Sequence, residues 1–413
     1  MKSDLDAIMQ QRNLDALLVF GSAENNPPMM YLVGGGHVGG ATLIKKRGAA
    51  PILFCNDMER EEAAKSGLDV RSYNVYPISD LLKEAGGDTA LMAALRLKLI
   101  LSELGIAGRV GVYGHTDLSN MFAVLAHLQR RLPDLELIGE TRETSLFMYA
   151  METKDEAEVA RIRRMGKITT EVVRLTADLL TSCTVREDEV LLKADGSPLL
   201  LGDVKAQINL WLAERSAVPS EGFIFSLGHD AGVPHSQGNP ADLMRLGQTI
   251  VFDIYPQEQG GGYFYDFTRT WSLGYATPEA QKRYDQVKNV YDKVIDNLDL
   301  NAPFKNYQIL ACEEFEKYGH KTPRTDQAPL NGYVHSLGHG VGLNIHERPW
   351  SGLTASDDNL LKPGVVFTIE PGLYYPEEGM GFRIEDTYWV RPDGKMELLA
   401  DYPYDFVLEM KKK

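Results

Sequence analysis

Three histidines, His335, His339 and His346, fall within twelve positions of a 413-residue chain that holds only nine. They lie in VHSLGHGVGLNIHERP, Val334 to Pro349, where Gly338, Gly340 and Gly342 alternate with other residues. On a helix, His335 and His339 would share one face at i and i+4, the arrangement of zinc proteases. Three closely spaced glycines oppose that helix, each by roughly 1 kcal/mol relative to alanine. The stretch reads instead as an irregular or extended segment whose backbone comes close to something else. A Gly-rich loop with incidental histidines is the plain alternative.

Two further stretches carry paired carboxylates. In TIVFDIYPQEQGGGYFYDFTRTWSL, apolar residues alternate on either side of Gly260-Gly261-Gly262, which signals a hairpin. With its centre between Gln259 and Gly260, Asp253 and Asp266 become direct cross-strand partners, with β-carbons roughly 5 Å apart. Two carboxylates so placed repel unless a cation lies between them. VVFTIEPGLYYPEEGMGFRIEDTYWV repeats the logic: a turn at Pro376-Glu377-Glu378-Gly379 makes Glu370 and Glu385 partners. Ordinary salt bridges, Glu385 to Arg383 and Asp266 to Arg269, would account for either pair taken singly. Both pairs beside three histidines fit better the oxygen-rich ligand set of a two-metal site. Such a site holds ions roughly 3.5–4 Å apart that share a bridging hydroxide. One histidine among four carboxylates favours Mn(II), Co(II) or Fe(II), with Zn(II) admissible; affinity order and metal availability, not ligand type alone, decide among them.

The elements that must position these groups follow from periodicity. Leu5 to Asn13 reads as a short helix, and Leu14 to Gly21 and Ala50 to Cys55 as strands. Pro27-Pro28 marks a turn. NDMEREEAAKSG and Leu91 to Gly105 read as helices, Arg109 to Gly114 as a strand, and MFAVLAHLQRRLP as a helix. Strands alternating with helices make an α/β first domain. Gly34 to Gly40 is glycine-rich without the strand–loop–helix setting of a phosphate cradle, and is a turn. Glu140 to Met151 is the junction, which gives domains at 1–146 and 147–413. The second opens with a long helix through ETKDEAEVARIRRMGKITTEVVRLTADLL. A loop precedes the next helix, Val204 to Glu214.

Bulk composition, 44% hydrophobic and 24% charged, suits a globular chain of two or three domains. A net charge of −15 argues against nucleic acid or an anionic membrane as partner. There is no apolar run of the roughly 18 residues a membrane span needs. The polar start, MKSDLDAIMQQRN, has no signal-peptide character. Cys55, Cys183 and Cys312 are scattered with no CxxC spacing, as in a cytoplasmic protein with reduced, packed thiols.

VHSLGHGVGLNIHERP, FDIYP…YDFTRT, TIEPGLY and RIED together resemble the motifs of the pita-bread (creatinase/aminopeptidase P-like) metallopeptidases, densely from about Gly222 to Asp386. LDALLVF…NNPPMMYLVG resembles, more weakly, the N-terminal domain of the proline-specific members. Methionine aminopeptidases generally lack that domain. The resemblance implies an α/β creatinase-like domain followed by an α+β pita-bread catalytic domain. It also implies a dinuclear-metal exopeptidase that cleaves the Xaa-Pro bond of dipeptides or short peptides. Its ligands would be Asp253, Asp266, His339, Glu370 and Glu385, and Glu370 would exchange a proton with the bridging water. His346 would donate to the scissile carbonyl oxygen, and His335 and His235 would contact substrate. Arg383 and Tyr374 would stand beside the metals and the substrate pocket. A cytoplasmic homodimer acting on short proline-containing peptides is the expected setting.

One departure accompanies the match. Proline-specific relatives space the two aspartates two residues closer and have DxG where this chain has Asp253-Ile254-Tyr255. Two extra residues preserve strand parity, so both carboxylates keep the same face. Two other functions share the fold: a metal-retaining lyase of the dimethylsulfoniopropionate-cleaving kind, and a non-catalytic binding protein. Creatinase chemistry and binding-only relatives go with lost ligands, whereas all five positions are filled here. His229 reads as a loop residue, and His37, His115, His127 and His320 as structural.

Overall fold

The computed structural model describes residues 4–411. The chain divides into Met1–Met151 with Gly260–Gly262, and Glu152–Gln259 with Tyr263–Lys413. The division falls after residue 151, not 146, because Leu146–Met151 forms a helix that belongs to the first unit. Its Phe147 ring meets the edges of Tyr31 and Tyr113, and Tyr31 donates to the Ala150 carbonyl at 3.1 Å.

The first unit is a six-stranded mixed sheet, in spatial order Asp69–Ser72, Ile52–Cys55, Ala41–Lys46, Ala16–Gly21, Gly108–Gly114 and Leu135–Ile138. Helices Thr89–Glu103 and Leu118–Arg131 bury Leu97, Ile100, Leu101, Val124 and Leu128 in the core that also holds Leu18 and Val110. Pro27-Pro28 opens a helix, Pro27–Val33, where a turn was expected. Proline at the first helical positions forfeits no hydrogen bond, so a Pro pair starts a helix as readily as it makes a turn.

The second unit opens on an extended segment, not a helix. Thr153 bridges Val365, and the long helix begins only at Glu156. Asp155 caps it, accepting from the Ala157 and Glu158 amides at 3.0 Å, while Glu158 reaches back to the Asp155 amide. The following helix starts at Leu201, three residues before the expected Val204.

Two sheets carry the paired carboxylates. One, of four strands, runs Ile224–Leu227, Thr249–Ile254, Phe267–Leu273, Val407–Leu408. The other, of five, runs Glu347–Trp350, His339–Gly340, Val366–Ile369, Asp386–Val390, Met396–Leu398. Helices Pro278–Ile295 and Lys305–Lys317 supply Val287, Val290, Tyr291, Val294 and Phe315 to a core shared with Phe367, Ile369, Tyr388 and Val390. This is the expected α+β organisation. Among the described residues no helix is long and apolar enough to cross a membrane, and no disulfide joins Cys55, Cys183 and Cys312.

Candidate active site

The first hairpin differs in register from the simple one. Asp253 lies opposite Thr268 and Ile254 opposite Phe267, so Asp266, just outside the strand, is offset by two residues from Asp253. An offset of two leaves both on one face, and the Asp253 charge bears directly on Asp266. The second hairpin has the expected register. Ile369 faces Asp386 and Gly372 faces Arg383, bracketing Glu370 and Glu385. The two hairpins join at the site itself: Thr268 and Glu385 exchange backbone hydrogen bonds of 3.4 and 3.0 Å.

His339 occupies the strand beside them. Its Nδ1 lies 3.0 Å from the Gly340 carbonyl, which fixes the proton there and turns Nε2 toward the carboxylates. Nε2 is 3.5 Å from Asp266 Oδ2 and 3.3 Å from Glu370 Oε1. Asp266, His339 and Glu385, all buried, present ligand atoms within 4.8 Å of one another. Asp253 and Glu370 flank this trio.

No metal is needed to see that the group wants cations. Burial, and then repulsion from Asp253 and Glu370, pushes the Asp266 carboxyl well above the usual range. Glu385 rises likewise through burial and its three carboxylate neighbours. Glu370 is pushed up to about 8, chiefly by burial, with Arg383 opposing the shift and Asp253 adding to it. Asp253 Oδ1 and Glu385 Oε1 are buried with no hydrogen-bond partner. Orphaned anionic oxygens of this kind are costly unless a cation completes them. The donor set therefore fits divalent metal.

Arg383 is the guanidinium facing these carboxylates, and neither simple salt bridge forms. Arg383 pairs with Asp253 at 2.5 Å instead of Glu385, and donates to Tyr374 Oη at 2.6 Å. Arg269 pairs with Asp386 at 2.8 Å instead of Asp266, and donates to the Thr268 and Glu385 carbonyls. His335 Nε2 lies 2.8 Å from Tyr374 Oη. Burial and Arg383 push His335 down to about 3, and burial and His346 do the same to His339. The exposed His346 packs edge-on to His339, ring centroids 4.3 Å apart. His235 is exposed, and its charge bears on His335.

Thr268 escaped the sequence reading. Its hydroxyl donates to Glu385 Oε2 at 2.7 Å and accepts from Arg383 Nε at 3.3 Å. The signal was available, since a residue two positions after Asp266 shares its face. His320 is structural, held between Tyr375 Oη at 2.6 Å and Gln286 Oε1 at 2.9 Å. His115 lies 2.6 Å from the Asn25 carbonyl, and His127 3.6 Å from Asp88.

Residues 160–392 match the model of Metallopeptidase family M24, and residues 2–144 match that of the Creatinase/Prolidase N-terminal domain. The chain belongs to metallopeptidase family M24. It therefore carries that family's catalytic domain behind a creatinase-type one, the organisation its motifs imply. The Xaa-Pro dipeptidase of Pyrococcus furiosus is 29% identical over 269 residues, 65% of this chain. The chain spans 64% of that relative's length. The Xaa-Pro dipeptidase of Pyrococcus horikoshii is 25% identical over 397 residues, 94% of each chain. The solved structure of Xaa-Pro dipeptidase from Bacillus anthracis superposes with a TM-score of 0.76 at 18% identity, covering 98% of each chain, and so shares the M24 fold.

Proposed function

We propose that this M24 protein is a dinuclear-metal exopeptidase that hydrolyses the Xaa-Pro bond at the N-terminus of dipeptides or short peptides. Asp253, Asp266, His339, Glu370 and Glu385 are its ligands. One observation carries the reading: His339 Nε2 faces Asp266 and Glu370, Glu385 and Asp253 complete the same carboxylate cluster, the Arg383 guanidinium there is already paired with Asp253, and two carboxylate oxygens are left without a donor. The similarity to Xaa-Pro dipeptidases supports the substrate class.

Bound divalent ions would supply an activated water nucleophile and polarise the scissile carbonyl. The chain's own groups do the rest. Glu370 takes the proton of the attacking water and returns it to the departing prolyl nitrogen. His346 donates to the carbonyl oxygen as negative charge develops there. His335, its ring held by Tyr374, lines the pocket, and His235 contacts the peptide from the loop after Pro234. Arg383 holds Asp253 in place from behind. The setting is a cytoplasmic homodimer, with Mn(II) the first candidate metal.

The test uses purified protein of measured metal content, supplied with Mn(II), Co(II), Fe(II) or Zn(II). Xaa-Pro dipeptides are compared with Xaa-Pro-Yaa tripeptides, and turnover of one class or both is expected. Protein holding two ions per protomer that cleaves neither class overturns the proposal.

A further inference from the structure

Glu347 follows His346 directly and is fully buried. Its carboxylate folds back inside the loop it closes. Oε1 accepts from the Asn344 amide at 2.9 Å and from Asn344 Nδ2 at 3.3 Å, and Oε2 accepts from Lys154 Nζ at 2.7 Å. Gly342 leaves room for it, since a β-carbon there would overlap the Glu347 carboxylate.

Lys154 is equally enclosed, its side chain 2% exposed. It sits in the extended segment ahead of the long helix, where its amide donates to the Gly364 carbonyl at 2.7 Å and Thr153 bridges Val365. That segment therefore runs beside the strand leading to Glu370. The loop is also gripped from the first hairpin, through Phe264 N to the Gly342 carbonyl at 2.8 Å.

Burying two charges is costly, and a hydrophobic pair of similar volume is often at least as stable. Stability alone is a poor account of this ion pair. Its place in the chain suggests another. The pair anchors the exit of the Val341–Glu347 turn, and the side chain just before that anchor is His346, whose ring stands over His339.

We propose that Lys154 and Glu347 are positioning residues: their buried ion pair holds the 341–347 loop so that His346 stays over His339 at the carbonyl-binding side of the site. The inference rests on the peptidase reading above for its catalytic consequence, and on geometry alone for the placement of His346.

The variants are Glu347→Ala and Lys154→Met/Glu347→Ala, each in wild-type and His346→Ala backgrounds. Glu347→Ala leaves Lys154 buried without its carboxylate and should lower Tm. The double variant removes that stranded charge and should recover most of the Tm. Activity should not recover with it: kcat stays down on the order of 10- to 100-fold, the cost of a misplaced catalytic group, while KM changes less. In the His346→Ala background the double variant should cost little more, because both changes remove the same contribution. A double variant with wild-type kcat, or a loss repeated in full without His346, overturns the proposal. A crystal structure of the double variant decides it independently of turnover: a His346 ring still seated 4.3 Å from His339 removes the positioning role, even if no Xaa-Pro substrate is ever cleaved. Failure of wild-type protein to cleave any such substrate would count instead against the peptidase reading.

Discussion

Glu370 stands under opposing influences. Burial raises its carboxyl, Arg383 lowers it, Asp253 raises it again, and the balance lies at about 8. Bound cations would favour its ionised form, so that the carboxylate can take a proton from water and return it to a leaving amine. Glu370→Gln keeps the shape and removes that capacity. We expect kcat on the best Xaa-Pro substrate to fall by about 10²- to 10⁴-fold, with Tm of the metal-free protein unchanged or higher, since a strained buried carboxyl has gone. Steady-state kinetics on protein of known metal content checks it, and retained activity would reassign the proton transfer. Much of this residue set was legible. Period-two spacing put Asp253 and Asp266, and Glu370 and Glu385, on common faces, and the register offset of two in the first hairpin left that parity intact. What spacing could not reveal was the pairing of Arg383. Its sequence neighbour is Glu385, but its partner Asp253 lies in the other hairpin, and contacts between distant segments leave no local periodicity. Nor could spacing choose among three histidines. His339 is distinguished by the Gly340 carbonyl that fixes Nδ1 and turns Nε2 inward.

The glycines around His339 serve the elements more than the ligand. A β-carbon at Gly338 would overlap the Thr368 carbonyl, and one at Gly340 the Arg348 carbonyl. The His339–Gly340 strand is squeezed between two neighbours, Val366–Ile369 and Glu347–Trp350. The sequence indicated a close backbone approach there, and adjacent strands are what approaches. Gly340→Ala should therefore separate strands that together present His339 and Glu370. The cost should reach at least the roughly 1–3 kcal/mol of ordinary overpacking, because backbone cannot step aside as a side chain can. Chemical denaturation measures that loss, and metal titration should show weaker binding in the same variant. A Gly340→Ala protein as stable as wild type would mean the strands have slack that their geometry denies. Long, strongly patterned helices such as Glu156–Ser182 were readable from their apolar spacing and acidic first turn, though not to their first residue. Short strands such as Asp69–Ser72 were not, because four residues with little burial carry almost no pattern.

Across the chain, apolar cores and the carboxylate cluster make separable contributions. Each unit has its own apolar core, whereas Asp253, Asp266, Glu370 and Glu385 all belong to the second. In a chain of net charge −15, solvent does little to relieve repulsion within this cluster, since Asp266 and Glu385 are almost wholly buried. Metal removal should therefore weaken the second unit selectively. A ligand that binds only the folded state stabilises by RT ln(1 + [L]/Kd), about 2.7 kcal/mol per site at a free concentration 100 times Kd. Calorimetry on protein stripped by chelator should show a lower Tm for the unit that holds the cluster. Mn(II) or Co(II) should restore it in proportion to the logarithm of free metal. Glu385→Gln should blunt that restoration, because it replaces a carboxylate whose Oε1 has no other partner. If chelation leaves every transition where it was in protein that had held two ions per protomer, the cluster is not the metal site, and its buried charges must be satisfied in another way.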